Sequence, residues 1–256
     1  MRIYLAVSPN SLREAVAFQT GLAHTAYRIG EDSSLLSRNL LVQTRGGLLV
    51  LTDRDAPLVQ YPENLAGAVL RECGRRNYSG VVLDFEEPPT EPLRRLAAAL
   101  GRLCAASRRV LYLPEVYASS TEQRTVIVNT TISGGSFEEH LREVCNRYGG
   151  ARNVALDIQR LTMSFSLPAR SGQGEPLTQE SLSALLGERQ PAVFFSRDLC
   201  AKYFTHSQDG AARFVLFDDA GTLRQKLKLG QQLGVSAAFF QWPEIRDIAP
   251  ELLRRA

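Results

Sequence analysis

The sequence is poor in the residues that build metal sites, disulfide frameworks and membrane spans. Its 256 residues include 4 cysteines, 3 histidines and 1 tryptophan, and no cysteine or histidine pair has the spacing of a metal or redox motif. No apolar run approaches the ~20 residues of a membrane helix. No run of basic residues is long enough for a nucleic-acid-binding tail. We therefore expect that the protein binds no metal, cofactor, nucleic acid or membrane. We also expect a monomer.

What is present fits one globular domain over residues 1–256. Hydrophobic residues make up 44% of the chain, and the net charge is only +3, which argues against disorder. The cysteines lie far apart, so we expect buried free thiols and a reducing compartment. The opening residues, Met1 to Val7, are more typical of a first strand than of a signal peptide. A cytoplasmic location is the expectation.

Strand-like and helix-like segments alternate along most of the chain. Near-continuous apolar strands followed by amphipathic helices indicate a parallel sheet that is covered on both faces. About eight such units in ~250 residues match the size of a (β/α)8 TIM barrel, and an open doubly wound sheet is the alternative. One helix stands out between Glu91 and Ala106, where Leu93, Leu96, Leu100 and Leu103 are predicted to share a face.

The most informative segment runs from Tyr78 to Glu87. Residues alternate between the faces of a strand, so Val82, Asp84 and Glu86 point the same way. Pro88 ends the strand, because proline cannot donate to the ladder. The two carboxylates then lie at the strand's C-terminal mouth, where barrel enzymes carry their active sites. Each charge disfavours ionisation of the other, so one can hold a proton. The alternative is a solvated loop with no chemistry.

This segment resembles the fourth strand of glycoside hydrolase family 18, the chitinase-like barrels, which carries D-G-x-D-x-D-x-E. The corresponding residues here are Ser79-Gly-Val-Val-Leu-Asp-Phe-Glu86. Gly80, Asp84 and Glu86 match, whereas Ser79 and Val82 replace the first two aspartates. Without an acid at position 82, Asp84 loses a neighbour of like charge, which predicts that Asp84 ionises more readily.

A second resemblance lies in the C-terminal part of the chain. Phe217-Asp218-Asp219 and Lys226 are similar to a seventh-unit pattern of the family, and Phe239-Phe240-Gln241-Trp242 resembles the end of its eighth strand. The resemblance implies substrate-binding roles for Asp218, Gln241 and Trp242. Trp242 would be a platform on which a sugar ring stacks, although core packing is the alternative.

The resemblance also implies a mechanism in which the 2-acetamido oxygen of the substrate attacks the anomeric carbon. Glu86 would protonate the leaving oxygen and then activate water, and Asp84 would hold the acetamido nitrogen. The family usually carries a tyrosine on strand six, and no tyrosine occurs in the segment from Val128 to Thr131. Tyr117, just past a strand that ends near Glu115, is the candidate substitute for this tyrosine. Tyr117 and Glu115 are both expected to bind substrate.

Three functions remain open at this point. The first is a glycoside hydrolase that cleaves β-1,4 bonds next to N-acetylglucosamine in chitin-like, peptidoglycan or N-glycan oligosaccharides. The second is a non-catalytic, lectin-like barrel, favoured by Val82 and the missing tyrosine and opposed by Glu86. The third is a barrel enzyme acting on phosphorylated metabolites, with Ser133-Gly-Gly-Ser136 at a helix start as an anion site. A plain turn and helix cap is the alternative for that stretch.

Overall fold

In a computed structural model, which describes residues 1–38, 46–56, 58–168, 174–208 and 210–253, parallel strands close into a barrel. In chain order the described strands are β1 (Arg2–Val7), β2 (Gly21–Ile29), β3 (Leu35–Ser37), β4 (Leu48–Thr52), β5 (Gly80–Asp84), β6 (Val110–Pro114), β7 (Thr125–Asn129), β8 (Val154–Asp157), β9 (Thr162–Ser166), β10 (Glu175–Pro176), β11 (Phe194–Ser196), β12 (Ala201–Gln208), β13 (Ala211–Phe217) and β14 (Ala237–Gln241).

Eight of these strands form the barrel in the order β1-β2-β4-β5-β6-β7-β8-β14, and β14 pairs with β1 to close it. All eight strands are parallel. Strand β3 pairs antiparallel with the C-terminal end of β2, from Tyr27 to Ile29. The predicted (β/α)8 barrel is confirmed, and the open doubly wound alternative is wrong. Counted around the barrel, β5 is the fourth strand and β14 the eighth, as the two motif resemblances required.

Helices cover the outside of the barrel. The described α-helices are α1 (Leu12–Ala15), α2 (Pro62–Arg76), α3 (Glu91–Ala106), α4 (Phe137–Arg147), α5 (Gln179–Arg189), α6 (Ala220–Leu233), α7 (Trp242–Ile245) and α8 (Ala249–Leu252). Short 3-10 turns lie at Val16–Phe18, Glu31–Ser33, Glu115–Ser120 and Ala151–Asn153. None of the helices in the described ranges is both long and apolar enough to cross a membrane.

Helix α3 has the predicted bounds, but one residue of its predicted face is wrong. Leu93, Leu96 and Leu100 are buried, whereas Leu103 is exposed and Cys104 is buried instead. Cys104 lies three helical turns after Leu93 and therefore returns to the same face, while Leu103 falls short of it. All four cysteines are buried free thiols, as predicted.

Alternation along the barrel strands separates two cores. Inward residues, among them Tyr4, Val82 and Phe239, fill the barrel with a small aromatic cluster, in which the Tyr4 and Phe239 rings stack 5.3 Å apart. Outward residues such as Val81 and Leu83 join the larger core under the helices. The predicted facing of Val82 and Asp84 to one side is confirmed, because Val82 lies inside the barrel and Asp84 continues on that side.

Residues 162–217 depart from the predicted series of β–α units. They form an antiparallel sheet in the order β10-β9-β13-β12-β11, inserted between the seventh and eighth barrel strands. The segment after Phe195 was expected to contain a short helix, and the structure has the strand Ala201–Gln208 there. Its aromatic and β-branched residues favour a strand, and Asp209-Gly210 is a hairpin turn signal in the sequence. In this segment the local preference for a β-hairpin prevails over the expected alternation of strands and helices.

Candidate functional site

A cavity of about 800 Å³ opens at the C-terminal ends of the barrel strands. The aromatic cluster inside the barrel forms its floor, since Phe239 contributes to the lining. Most of the polar lining comes from residues at or just past the strand ends, among them Arg54, Asp55, Asp84, Glu86, Glu115, Asn129, Asp157, Gln159, Gln241 and Glu244. This is the position at which (β/α)8 barrels hold their ligands.

Asp84 and Glu86 lie together in this cavity, as the strand alternation predicted. Asp84 is half-buried, whereas the Glu86 side chain is 55% exposed. Burial raises the pKa of Asp84, the charge of Glu86 raises it further, and Arg54 opposes both. The expectation that Val82 makes Asp84 ionise more readily compares this chain with one that carries an acid at position 82, and it stays a prediction. Burial and the charge of Glu86 nevertheless hold the pKa of Asp84 above its usual value.

Gly80 at the start of β5 has a steric reason. A Cβ at this position would collide with the carbonyl oxygen of Val110 on the adjacent strand β6. Only glycine allows the two backbones to approach so closely. The close spacing of β5 and β6 matters for the site, because β5 carries Asp84 and leads into the loop with Glu86.

The loop that carries Glu86 is fixed by a residue that the sequence reasoning missed. Asp53 follows β4 and is 1% exposed. Its Oδ1 accepts the backbone N–H of Glu86 at 2.9 Å, and its Oδ2 accepts that of Glu87 at 3.2 Å. The third strand of the barrel thereby positions the acid that follows the fourth.

Tyr117 supports the same loop from the other side. It is fully buried in the 3-10 turn after β6, and its hydroxyl donates to the carbonyl oxygen of Glu87 at 3.2 Å. Its ring lies edge-on to that of Phe85, with 5.4 Å between the centroids. Burial raises the pKa of Tyr117 to about 12. The hydroxyl binds protein backbone and Tyr117 is not among the lining residues of the cavity, so the substrate contact expected of Tyr117 stays a prediction that this arrangement does not support.

Arg54 holds the side chain of Glu86. Its Nη2 lies 2.5 Å from Glu86 Oε1, and the Arg54 side chain is 67% exposed. An ion pair this open to water contributes little to the stability of the fold. A bound ligand can therefore displace Arg54 from Glu86 without a large cost.

A second polar group lies across the barrel mouth on strands six and seven. Asn129 Nδ2 donates to Gln159 Oε1 at 3.0 Å, and Gln159 Nε2 donates to Asp157 Oδ2 at 2.8 Å. Burial raises the pKa of Asp157 to about 6, opposed by the Gln159 hydrogen bond and assisted by Glu244 and Asp84. Three acids that line the cavity therefore have raised pKa values: Asp84 on one side, and Asp157 and Glu244 on the other.

Trp242 does not lie on this cavity. It is 2% exposed and packs against Phe18, with 5.4 Å between the ring centroids. The inward residues of β14 are Ala237, Phe239 and Gln241, so Trp242 continues the outward set of Ala238 and Phe240. A shift of one residue moves a side chain to the other face of a strand. The structure therefore offers no sugar-stacking face at Trp242.

Asp218 is also away from the cavity and serves the core. It is 1% exposed, with Oδ2 at 2.7 Å from Lys226 Nζ and Oδ1 accepting the Thr222 hydroxyl at 2.8 Å. Its Oδ2 also accepts the backbone N–H of Leu161 at 3.1 Å. Burial raises the pKa of Asp218, against the pull of the Lys226 charge. These contacts tie the end of the inserted sheet to α6.

Glu115 and Gln241 do line the cavity, as expected. Glu115 Oε1 accepts the Tyr148 hydroxyl at 3.0 Å and lies 3.6 Å from Arg147 Nη1. The stretch Ser133 to Ser136 is not part of the lining. Ser136 caps α4 by accepting the Glu139 N–H at 3.3 Å, which agrees with the plain turn and cap.

Several residues of the site were not predicted. They include Asp53 behind the Glu86 loop and the cavity residues Arg54, Asn129, Asp157, Gln159 and Glu244. A signal for some of them is in the sequence. Asp157-Ile158-Gln159 ends the seventh strand with the same spacing of polar side chains that Asp84 and Glu86 show after the fourth. Once the barrel strands are numbered, polar residues at their C-terminal ends are the first candidates for a site.

Solved structures of chitinase-type barrels resemble this one. A glycoside hydrolase family 18 N-acetylglucosaminidase from Paenibacillus barengoltzii matches with a TM-score of 0.70 and 14% identity, over 98% of this chain and 97% of that one. A chitinase from Chromobacterium violaceum matches with a TM-score of 0.65 and 13% identity, over 93% of each chain. The spore cortex-lytic enzyme SleL of Bacillus megaterium matches with a TM-score of 0.64 and 13% identity, over 93% of this chain and 70% of that one.

At such identities the likeness establishes the fold, which is the barrel that the strand-four motif predicted. No protein-family model matches the sequence, and no curated protein matches it. A fold hosts many activities, so function has to be argued from the site itself.

Proposed function

We propose that the protein is a glycoside hydrolase that cleaves β-1,4 bonds next to N-acetylglucosamine. The observation that carries the proposal is the placement of Asp84 and Glu86 together at the mouth of the fourth strand, inside a cavity of about 800 Å³. Similarity to barrels named as chitinases and as an N-acetylglucosaminidase supports the same class. The cavity volume is within the range of small-ligand sites.

Glu86 is the proposed acid/base. Its carboxylate is exposed at the cavity mouth, and its backbone is held by Asp53. A positioned general acid contributes typically ~10²–10⁴-fold to a rate. Arg54 occupies one oxygen of Glu86 in this structure, so a substrate has to displace that weak pair before Glu86 reaches a glycosidic oxygen.

Asp84 is the proposed partner of the substrate's acetamido group. In the substrate-assisted scheme the acetamido oxygen attacks the anomeric carbon, while the leaving oxygen takes the proton of Glu86. Asp84, deeper in the cavity, accepts the acetamido N–H and stabilises the cyclic cation by its charge. Water then attacks the anomeric carbon, gives its proton to Glu86 and reopens the ring.

One arrangement favours a non-catalytic, carbohydrate-binding barrel as the second candidate. The sixth strand ends on Asn129, where the resembled family carries a tyrosine, and Asn129 is bonded to Gln159. An amide pair binds sugar hydroxyls readily but does not reproduce a phenol that orients the acetamide. Turnover separates the two candidates.

The deciding experiment is an assay on chromogenic N-acetylglucosaminides and on β-1,4-linked oligosaccharides. Wild type should release product, and Glu86→Gln should lower kcat by at least about two decades without loss of folding. Glu188→Gln, an exposed residue outside the cavity, is the matched control and should retain activity. Binding without turnover by the wild type would support the lectin-like candidate, and equal rates for Glu86→Gln and wild type would remove Glu86 from the mechanism.

A bicyclic thiazoline derived from N-acetylglucosamine tests the mechanism. It mimics the cyclised intermediate, and enzymes bind such mimics more tightly than substrates, so it should inhibit competitively. Substrates with a hydroxyl in place of the acetamide should not turn over. Rapid hydrolysis of plain glucosides would instead indicate a protein nucleophile.

A further inference from the structure

Three arginines converge on one wall of the cavity, at the ends of the second and third barrel strands. Arg28, Arg38 and Arg54 all contribute to the lining. Across the cavity, Asp157 ends the seventh strand and Glu244 lies in helix α7, just past the eighth. Next to Arg54 the lining also contains the acids Asp55, Asp84 and Glu86. The positive charge without a neighbouring acid is therefore that of Arg28 and Arg38.

The strand registers explain why the arginines meet. Arg28 on β2 lies opposite Thr52 on β4, and Arg54 follows Thr52 by two residues. On its other side Arg28 lies opposite Leu36 of β3, and Arg38 follows Leu36 by two. Residues two apart share a face, and diagonal cross-strand neighbours are about 7–8 Å apart. Arg28 thus has a guanidinium-bearing neighbour on each side.

Arg28 faces inward for a defined reason. The register between β2 and β4 shifts between His24 and Tyr27. After this irregularity the Tyr27 hydroxyl donates to Glu72 of α2 at 2.9 Å, outside the barrel. Arg28, the next residue, therefore points to the cavity side.

Two of the three charges have no counter-ion among the described residues. Arg54 pairs with Glu86, whereas neither Arg28 nor Arg38 has a carboxylate within ion-pair distance there. The sequence of residues 39–45 contains no Asp or Glu that could supply one. Like charges placed side by side on a sheet are unfavourable, so an arrangement of this kind is relieved when an anion binds.

We propose that the arginine wall, Arg28, Arg38 and Arg54, binds a carboxylate carried by the saccharide substrate. This inference rests on the proposed function and narrows its substrate to acidic amino-sugar chains. Guanidinium groups bind carboxylates through paired, charge-assisted hydrogen bonds, and Arg54 already holds the carboxylate of Glu86. A substrate carboxylate at this wall competes for Arg54 and releases Glu86 toward the bond to be cleaved.

The test uses two disaccharides of one shape. Both are β-1,4 thio-linked N-acetylglucosamine pairs, which resist hydrolysis, with a lactyl ether on one ring; one bears the free carboxylate and the other its carboxamide. Calorimetry on the intact protein at low salt should give about tenfold tighter binding of the acid. The preference should shrink in 0.5 M salt, as expected for exposed charges.

Variants locate the effect. Arg28→Gln combined with Arg38→Gln should abolish the preference, because the affinity for the acid should fall about tenfold further than the affinity for the carboxamide. Arg152→Gln removes an exposed arginine outside the cavity and should keep the preference, which controls for net charge. Persistence of the preference in the double variant, or its loss in Arg152→Gln, would overturn the proposal.

The outcomes also separate this inference from the proposed function. Equal affinity of the wild type for the acid and the carboxamide would overturn the arginine-wall proposal and leave the glycosidase proposal standing. Binding of neither disaccharide would overturn the arginine-wall proposal, and the turnover assay on N-acetylglucosaminides would then decide the glycosidase proposal by itself. Circular dichroism of the double variant establishes that it is folded before binding is measured.

Discussion

The carboxylate of Asp53 lies 2.9 Å from the backbone nitrogen of Glu86, and its other oxygen receives the N–H of Glu87. One buried side chain on the third strand therefore saturates two backbone donors of the loop after the fourth. On the opposite side of the same loop, the Tyr117 hydroxyl donates to the carbonyl oxygen of Glu87. The backbone position of the proposed acid is therefore set by two buried residues that do not line the cavity.

Replacement of Asp53 by asparagine should loosen this loop. The amide retains one acceptor and places an NH2 group against a backbone N–H, so one buried donor loses its partner. We expect a loss of about 1–3 kcal/mol in the free energy of unfolding, measured by urea denaturation. Hydrogen exchange should accelerate at the amides of Glu86 and Glu87. Asp55→Asn, an exposed neighbour, is the control, and unchanged exchange in Asp53→Asn would contradict the positioning role.

Gln241 and Trp242 are adjacent, but their substitutions should have different effects: Gln241 should affect saccharide binding and Trp242 the free energy of unfolding. Trp242→Ala removes a buried ring and should cost about 3–5 kcal/mol of unfolding free energy. Trp242→Phe keeps a ring, and the indole N–H has no partner among the described residues, so saccharide affinity should be unchanged. Gln241→Ala should weaken saccharide binding with no change in the urea midpoint. Weaker binding in a fully folded Trp242→Phe would restore the stacking role.

Most of the barrel and about half of the site residues could be predicted from the sequence. The predictions failed where a segment lacked a clear alternation of polar and apolar residues. The alternation after Val81 predicted the facing of Asp84 and Glu86, because a short strand with one clear pattern has one register. At the eighth strand an all-apolar run gave no alternation, so the motif match alone placed Trp242, and it placed it on the wrong face.

Asp53 and the arginine wall depend on which strands are neighbours. Asp53 is 33 residues before Glu86 in the chain, and Arg28 and Arg38 meet only through the hairpin of β2 and β3. No spacing along the sequence expresses such pairings, although the barrel order implies them once the strands are numbered.

The Asp218–Lys226 pair should behave as a buried ion pair of the core. Removal of one partner, as in Lys226→Met, leaves an uncompensated charge and should cost about 3–5 kcal/mol. The double variant Asp218→Asn, Lys226→Met should recover part of that loss, because no buried charge remains. Urea denaturation of the single and double variants measures the coupling. Additive losses would contradict the pair, and a large change in saccharide affinity for the folded double variant would return Asp218 to the binding site.

Asp157 should make stability fall as the pH rises. Burial raises its pKa from the usual 3.8 to about 6, so between these values the folded protein keeps a proton that the unfolded chain has released. The free energy of unfolding should therefore decrease from pH 4 to pH 7, by up to about 3 kcal/mol from this residue. The groups that face it are Gln159, Glu244 and Asp84; the last two also have raised pKa values and add slope in the same direction.

Asp157→Asn removes the titrating group and keeps its shape. Its urea midpoint should depend less on pH than that of wild type, and above pH 7 the variant should be the more stable of the two. Some slope should remain from Asp84 and Glu244. Asp32→Asn, an exposed residue outside the cavity, is the matched control and should follow wild type. If the urea midpoint of Asp157→Asn depends on pH as steeply as that of wild type, Asp157 is ionised throughout this range. The hydrogen bond from Gln159 would then outweigh burial in setting the pKa of Asp157.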